Sequence, residues 1–178
     1  FFHYCNNYID AVDRAAEHFA ARAKPEQSTA SLATEALERA GIRITRADTP
    51  NLRAFDPDTR VLTLSGRAAP ETRSFQMLLQ LALLNHEPLI EATLDLARFQ
   101  SDAARAIAKI GLANYFAGAA LMPYGAFLAA AQDTRHDLEL LTHRFGASIE
   151  QVAHRLSTLQ RPGAKGVPFF FVRVDQAG

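Results

Sequence analysis

Arg73-Ser74-Phe75-Gln76-Met77-Leu78-Leu79-Gln80-Leu81-Ala82-Leu83 is the stretch that decides the fold of this chain. With Leu84 it leaves almost no polar face, so a helix running through it must be buried nearly all round. Pro70-Glu71-Thr72 suits the first turn of that helix, where the fixed φ and missing amide of proline are tolerated. Pro88 predicts a kink or interruption near His86, before a continuation through Ala97.

Outward from this helix the pattern is amphipathic. Between Asn7 and Ala23, Ile9, Val12, Ala16, Phe19, Ala20 and Ala23 recur at helical spacing, with Asp10, Asp13, Arg14 and Glu17 between them. A second helix spans Ser28 to Ala40 and stops at Gly41. Ile42 to Thr45 alternates with period two, and Phe55 to Leu64 carries a turn flanked by apolar and β-branched residues. Two or three short antiparallel strands are expected there. Downstream, Ser101-Asp102 caps a helix running toward Met122, and Pro123 breaks it before helix resumes from Phe127 to about Gln132. Further helices follow from Asp137 to Phe145 and from Ser148 through Leu156. Phe169 to Val174 reads as a last strand. The expected fold class is α+β and predominantly helical, a small antiparallel sheet packed on six or seven helices in one domain over residues 1–178.

Composition narrows the class of function. Hydrophobic residues make up 48% and charged residues 21%, as in an ordinary globular domain. Nineteen Lys and Arg balance nineteen Asp and Glu, so the chain has no net positive field to hold duplex DNA by itself. One cysteine, Cys5, allows no internal disulfide and no thiolate metal cluster within the chain, and a reducing cytoplasm is the expected compartment. No apolar run is long enough for a membrane span, and no signal peptide is evident. Both ends read as cut from a longer protein.

The Arg73–Leu83 helix, taken with Gly111-Leu112-Ala113-Asn114-Tyr115-Phe116-Ala117-Gly118-Ala119-Ala120-Leu121-Met122-Pro123, resembles the ImmA/IrrE-type zinc peptidase scaffold. That family carries His-Glu-x-x-His on the first helix and a third metal ligand on the second. Laid on this chain, the resemblance puts the ligands at Leu79, Leu83 and Leu112 and the general base at Gln80. Catalytic zinc needs imidazole or carboxylate donors and a base for its water, and leucine supplies neither. The implication is a degenerate zincin-like scaffold with no metal and no peptidase activity. His86-Glu87 lies close by, but Pro88 and Ile90 deny it an i, i+4 ligand pair. His136 and His143 read as solvated surface residues.

Over essentially its whole length the chain is also similar to the central domain of the short-chain fatty acyl-CoA regulators. The resemblance rests on Phe1-Phe2-His3-Tyr4 with Asn6 to Asp10, on Leu121 to Tyr124, on Phe145 to Leu156, and most specifically on Gly166 to Asp175. It implies a bacterial transcriptional regulator whose central domain binds a short-chain acyl-CoA. A helix-turn-helix domain on the N-terminal side would contact DNA, and a cysteine-rich region on the C-terminal side would be the place for an iron–sulfur cluster. The best-known members control the methylcitrate and glyoxylate pathways. Acyl-CoA is then an effector, no cofactor belongs to the chain itself, and the partner is a second copy in a homodimer or homotetramer.

Coenzyme A needs cations or amides for its phosphates, a stacking surface for adenine and an apolar end for the acyl group. Phe1, Phe2, Tyr4 and Tyr8 could line the acyl and pantetheine channel, with Tyr4, Tyr8 and Ala11 along one side of an early-starting helix; Phe1 and Phe2 could equally be docked linker. Arg14 lies near that same side, while Arg43, Arg155, Arg161 and Lys165 sit at element ends or in the Gly-rich loop and suit phosphates, or are ordinary solvated cations. Tyr115 could stack on adenine or pantetheine, or be core. Gly111 and Gly118 permit close approach of a helix or of a ligand. Two other classes of function stay open: a residual hydrolase of the parent scaffold, and a structural dimerisation module resting on the apolar 75–84 helix and the terminal strand.

Overall fold

The computed structural model describes residues 5–170. Among them the elements run α1 (Asp10–Ala20), α2 (Thr29–Arg39), β1 (Arg43–Ala47), β2 (Arg53–Asp56), β3 (Val61–Ser65), α3 (Pro70–Asn85), α4 (Glu87–Asp95), α5 (Asp102–Leu121), α6 (Tyr124–Asp133), α7 (Leu138–Phe145) and α8 (Ile149–Ser157). The α+β, predominantly helical class holds. The helix total exceeds the expected six or seven because Pro88, at the start of α4, separates it from α3 at His86.

Local chemistry sets the helix ends. The Ser28, Ser101 and Asp137 side chains accept from the backbone amides of Ser31, Ala104 and Leu140. Ser148 and Gln151 complete a reciprocal capping box on α8. Gly146 ends α7 at φ 58°, a left-handed conformation that costs glycine nothing. At the start of the chain, Asn6 and Asn7 both have positive φ, so α1 begins only at Asp10. Tyr8 therefore precedes the helix and shares no helical stripe with Ala11. Phe1, Phe2 and Tyr4 lie outside the described residues.

The sheet departs from expectation. Its order is β1-β3-β2, with β2 antiparallel but β1 parallel to β3. β3 takes the centre because it carries Leu62 and Leu64, both fully buried, whereas β1 is largely exposed and belongs at an edge. Alternation along a strand reports which face is buried, not the direction of its partner. Of the expected last strand, Phe169 and Phe170 adopt no regular structure and the rest lies outside the described residues.

Burial falls into two clusters. The first joins α1 to α5 and the sheet around Val12, Leu37, Leu62, Leu78, Leu81 and Phe116. In α3 the consecutive residues Leu78 to Ala82 are all buried, as an all-round apolar helix requires. That helix is spent on this core, which removes it as support for a dimerisation face. The second cluster joins α6, α7 and α8 around Tyr124, Phe127, Leu141 and Leu156, and it takes in Tyr8 from ahead of α1. The chain after α8 folds back onto it: the Gly166 amide donates to the Leu159 carbonyl at 2.8 Å. A Cβ at Gly166 would stand 2.9 Å from that of Leu159, so the approach requires glycine.

Candidate functional site between two cores

The positions that the peptidase resemblance assigns to metal ligands are packed in this chain. Leu79 is 3% exposed and Leu112 is fully buried, and Leu83 packs against the same core. Gln80, where the resemblance would put the general base, is buried and accepts from the Arg53 guanidinium, whose Nε also donates to Gln76 at 3.3 Å. An amide held by an arginine cannot take a proton from water. Among the described residues no group of three or more His, Cys, Asp or Glu side chains could hold a metal ion. Among the described residues the donors therefore fit no zinc ion, and one cysteine, Cys5, cannot hold a thiolate iron–sulfur cluster. The nearby His86-Glu87 pair has other partners: His86 stacks on Phe116 at 4.3 Å between ring centres, and Glu87 pairs with Lys109 at 2.7 Å.

Between α3, α5 and α8 opens a cavity of about 850 Å³. Phe75 and Gln76 of α3 and Gly111, Tyr115 and Gly118 of α5 form one wall, and the first turns of α8 with Arg155 form the other. One wall belongs to the first core and the other to the second. At Gly118 an added Cβ would lie 3.9 Å from Phe75, so glycine there opens the wall rather than relieving a clash. A shallower hollow of about 330 Å³ adjoins it, sharing Asn7, Ser157 and Phe169, and carries exposed Lys165 on its rim. A large pocket with apolar and aromatic walls and a few polar groups, placed between packed units, is the usual form of a small-molecule site.

Behind the α8 wall lies a buried polar network. Asp13, completely buried on α1, accepts from Tyr115 Oη at 2.7 Å and from Arg155 Nη1 at 2.6 Å and Nη2 at 3.3 Å, and Arg161 Nη2 adds a contact at 3.1 Å. Arg155 also donates through Nε to the Met122 carbonyl at 2.9 Å and through Nη1 to Thr158 at 3.0 Å. Arg161 reaches Glu17 at 2.8 Å and the Tyr8 hydroxyl at 2.8 Å, and its guanidinium lies over the Tyr124 ring at 4.0 Å. Burial, reinforced by Asp13, pushes the Tyr115 phenol well above its ordinary range, and burial with the bond to Asp10 pushes Tyr8 up to about 12. Burial alone would raise the Glu17 carboxyl, but the Gly125 amide and Arg161 outweigh it and hold it below the usual range.

The residues proposed from sequence therefore scatter in an informative way. Tyr115 and Arg155 line the large cavity and Lys165 the adjoining hollow. Tyr8 and Arg161 join Arg155 and Tyr115 in the network behind the wall. Arg14 pairs with Asp10 at 2.9 Å on the exposed side of α1, and Arg43 is exposed at the start of β1; neither lines the cavity. Sequence reasoning missed Asp13 and Glu17. Asp13 had a signal, because it stands four residues after Ile9 and three before Ala16, on the apolar stripe itself. A carboxylate at a core position demands a buried cation.

A predominantly helical scaffold with a small three-stranded sheet, and with an open cavity between its two cores, defines a metallopeptidase-type domain. Comparison with known proteins agrees. The family description "IrrE N-terminal-like domain" matches residues 37–157, and "Short-chain fatty acyl coenzyme A regulator, C-terminal" matches residues 158–178. The chain belongs to the IrrE N-terminal-like family, in the form carried by the short-chain fatty acyl coenzyme A regulators. A propionyl-CoA carboxylase regulator of Cereibacter sphaeroides is 66% identical over 178 residues, covering 100% of this chain and 38% of that protein. The HTH-type transcriptional regulator PrpR of Mycobacterium tuberculosis is 43% identical over 183 residues, again covering 100% of this chain and 38% of the relative. A solved Mycobacterium tuberculosis transcriptional regulator superposes with a TM-score of 0.92 at 43% identity, over 99% of this chain and 55% of that one. The chain thus spans well under half the length of the curated relatives it matches. No helix among its described residues is long and apolar enough to cross a membrane.

Proposed function

We propose that this chain is a non-enzymatic effector-sensing domain that binds a short-chain acyl-CoA and thereby controls DNA binding by a helix-turn-helix domain elsewhere in a longer, cytoplasmic regulator. The observation that carries the proposal is the cavity of about 850 Å³ between α3, α5 and α8. Its size falls in the range of small-molecule sites, roughly 300–1,000 Å³. Lys165 on the rim suits a phosphate, and the apolar wall at Phe75 and Gly118 suits a short acyl chain. The names of the relatives support the same reading: each is a regulator, and one is named for propionyl-CoA carboxylase. An effector acts by binding two arrangements of the domain unequally, so no catalytic group is needed. Calorimetry with acetyl-, propionyl- and butyryl-CoA tests the proposal. Saturable binding of at least one supports it, and no binding of any at millimolar concentration overturns it.

One observation favours a second role for the outer face of α5. Leu96, just after α4, is 88% exposed and Ile107 is 75% exposed, with Ile110 beyond. These residues would suit self-association of the regulator as a dimer or tetramer, and sedimentation of the chain checks it directly.

A further inference from the structure

Asp13 and Glu17 stand one turn apart on α1 and together hold the two cores. Asp13 takes Tyr115 from the first core and Arg155 from the second. Glu17 takes Arg161 at 2.8 Å and, on its other oxygen, the backbone amide of Gly125 at 3.0 Å, in the first turn of α6. The helix N-terminus there favours a carboxylate. Between α5 and α6 the backbone passes through Met122, extended at φ −126° and ψ 75°, and Pro123, which has no amide to donate. The covalent joint is short, and polar contacts to one edge of α1 add to the apolar packing of Leu121 and Tyr8 in holding the second core in register.

The cavity lies across this same junction. Tyr115 stands in one wall and Arg155 in the other, and both end on the Asp13 carboxylate. The two walls cannot change their separation without changing at least one of those two bonds. Buried charge networks of this kind have discrete arrangements, because an unpaired buried ion is too unfavourable to be an intermediate.

We propose that the Asp13–Glu17 edge of α1 is a latch that transmits occupancy of the cavity to α1: an occupant touching both walls shifts α8 against α5 and redistributes Arg155 and Arg161 between the two carboxylates. The inference rests on the acyl-CoA proposal for its ligand, and it adds the route by which the bound state leaves the site.

Hydrogen–deuterium exchange on this chain, with and without saturating propionyl-CoA, tests it. In the unaltered chain exchange of the α1 amides should change by about fivefold or more on binding, the lower end of ordinary allosteric coupling. Asp13→Asn would strand the buried Arg155 guanidinium in the cavity wall and is not a clean test. Glu17→Gln, at a carboxylate one-third exposed and therefore safer for folding, should halve the response or more while keeping binding. Binding without any change in α1, or a full α1 response in Glu17→Gln, overturns the latch and leaves the acyl-CoA proposal standing. Failure of propionyl-CoA to bind the unaltered chain overturns both.

Discussion

Asp13 Oδ2 and Arg155 Nη1 meet at 2.6 Å across 142 residues of sequence, with both side chains sealed from solvent. Removing one partner strands the other as a buried ion, which costs about 3–5 kcal/mol. Asp13→Ala should lose stability on that scale in urea denaturation. Combining Asp13→Asn with Arg155→Met should cost less than the sum of the two single changes, because the second removes the charge that the first strands. Strict additivity would mean that the pair is energetically silent.

Gly118→Leu fills the cavity without displacing backbone, since a Cβ there meets Phe75 only at 3.9 Å. Acyl-CoA affinity should fall tenfold or more, while the thermal midpoint moves little. Equal affinity in this variant would place the ligand away from the α3–α5 wall.

The leucine positions make a prediction about metal. Zinc added to the purified chain should remain substoichiometric by elemental analysis after gel filtration and should leave the thermal midpoint unchanged. Leu79, Leu83 and Leu112 offer no donor, so a tightly held equivalent of zinc would contradict the assignment of those residues.

His86 gives the fold a pH dependence of known sign. Burial, helped by nearby Arg22, holds its pKa below the ordinary 6.5, so the unfolded chain takes up a proton before the folded chain does. Stability from this residue is therefore complete above about pH 6.5 and is lost as pH falls through the folded value. His86→Phe keeps the stack on Phe116 and removes the proton. Melting curves between about pH 7.5 and 5.5 should show a smaller decline in the variant, and an identical slope would show that His86 is not its source.

Ser148 accepts the Gln151 amide at 3.2 Å, while Gln151 returns a bond to the Ser148 amide at 2.9 Å. Ser148→Ala should destabilise the chain by about 0.5–2 kcal/mol in chemical denaturation. Because these residues line the cavity, the same variant should also weaken acyl-CoA binding.

Much of the fold was legible because helices announce themselves locally. The spacing of Ile9, Val12, Ala16 and Phe19, the serines at 28, 101 and 148, and Pro88 and Pro123 each act within a turn or two of their own position. The site was legible only in part. Tyr115 and Arg155 were singled out and do line the cavity, but as the visible ends of a network whose centre, Asp13, passed for one more polar residue on an amphipathic helix. The direction of β1 relative to β3 had no local signature at all.

What sequence determined by itself is the side-chain donor set at the positions that the peptidase resemblance assigns to metal ligands. Leu79, Leu83 and Leu112 have no donor atom in any conformation, so no arrangement of the chain could restore ligation there. What tertiary structure alone decided is where the remaining chemistry sits. Asp13 meets Tyr115 and Arg155, 102 and 142 residues away, and Gly118 faces a space because the chain packs into two cores with a cavity between them. Such pairings depend on the closure of long loops and the packing of whole helices, which the pattern along a single helix does not encode.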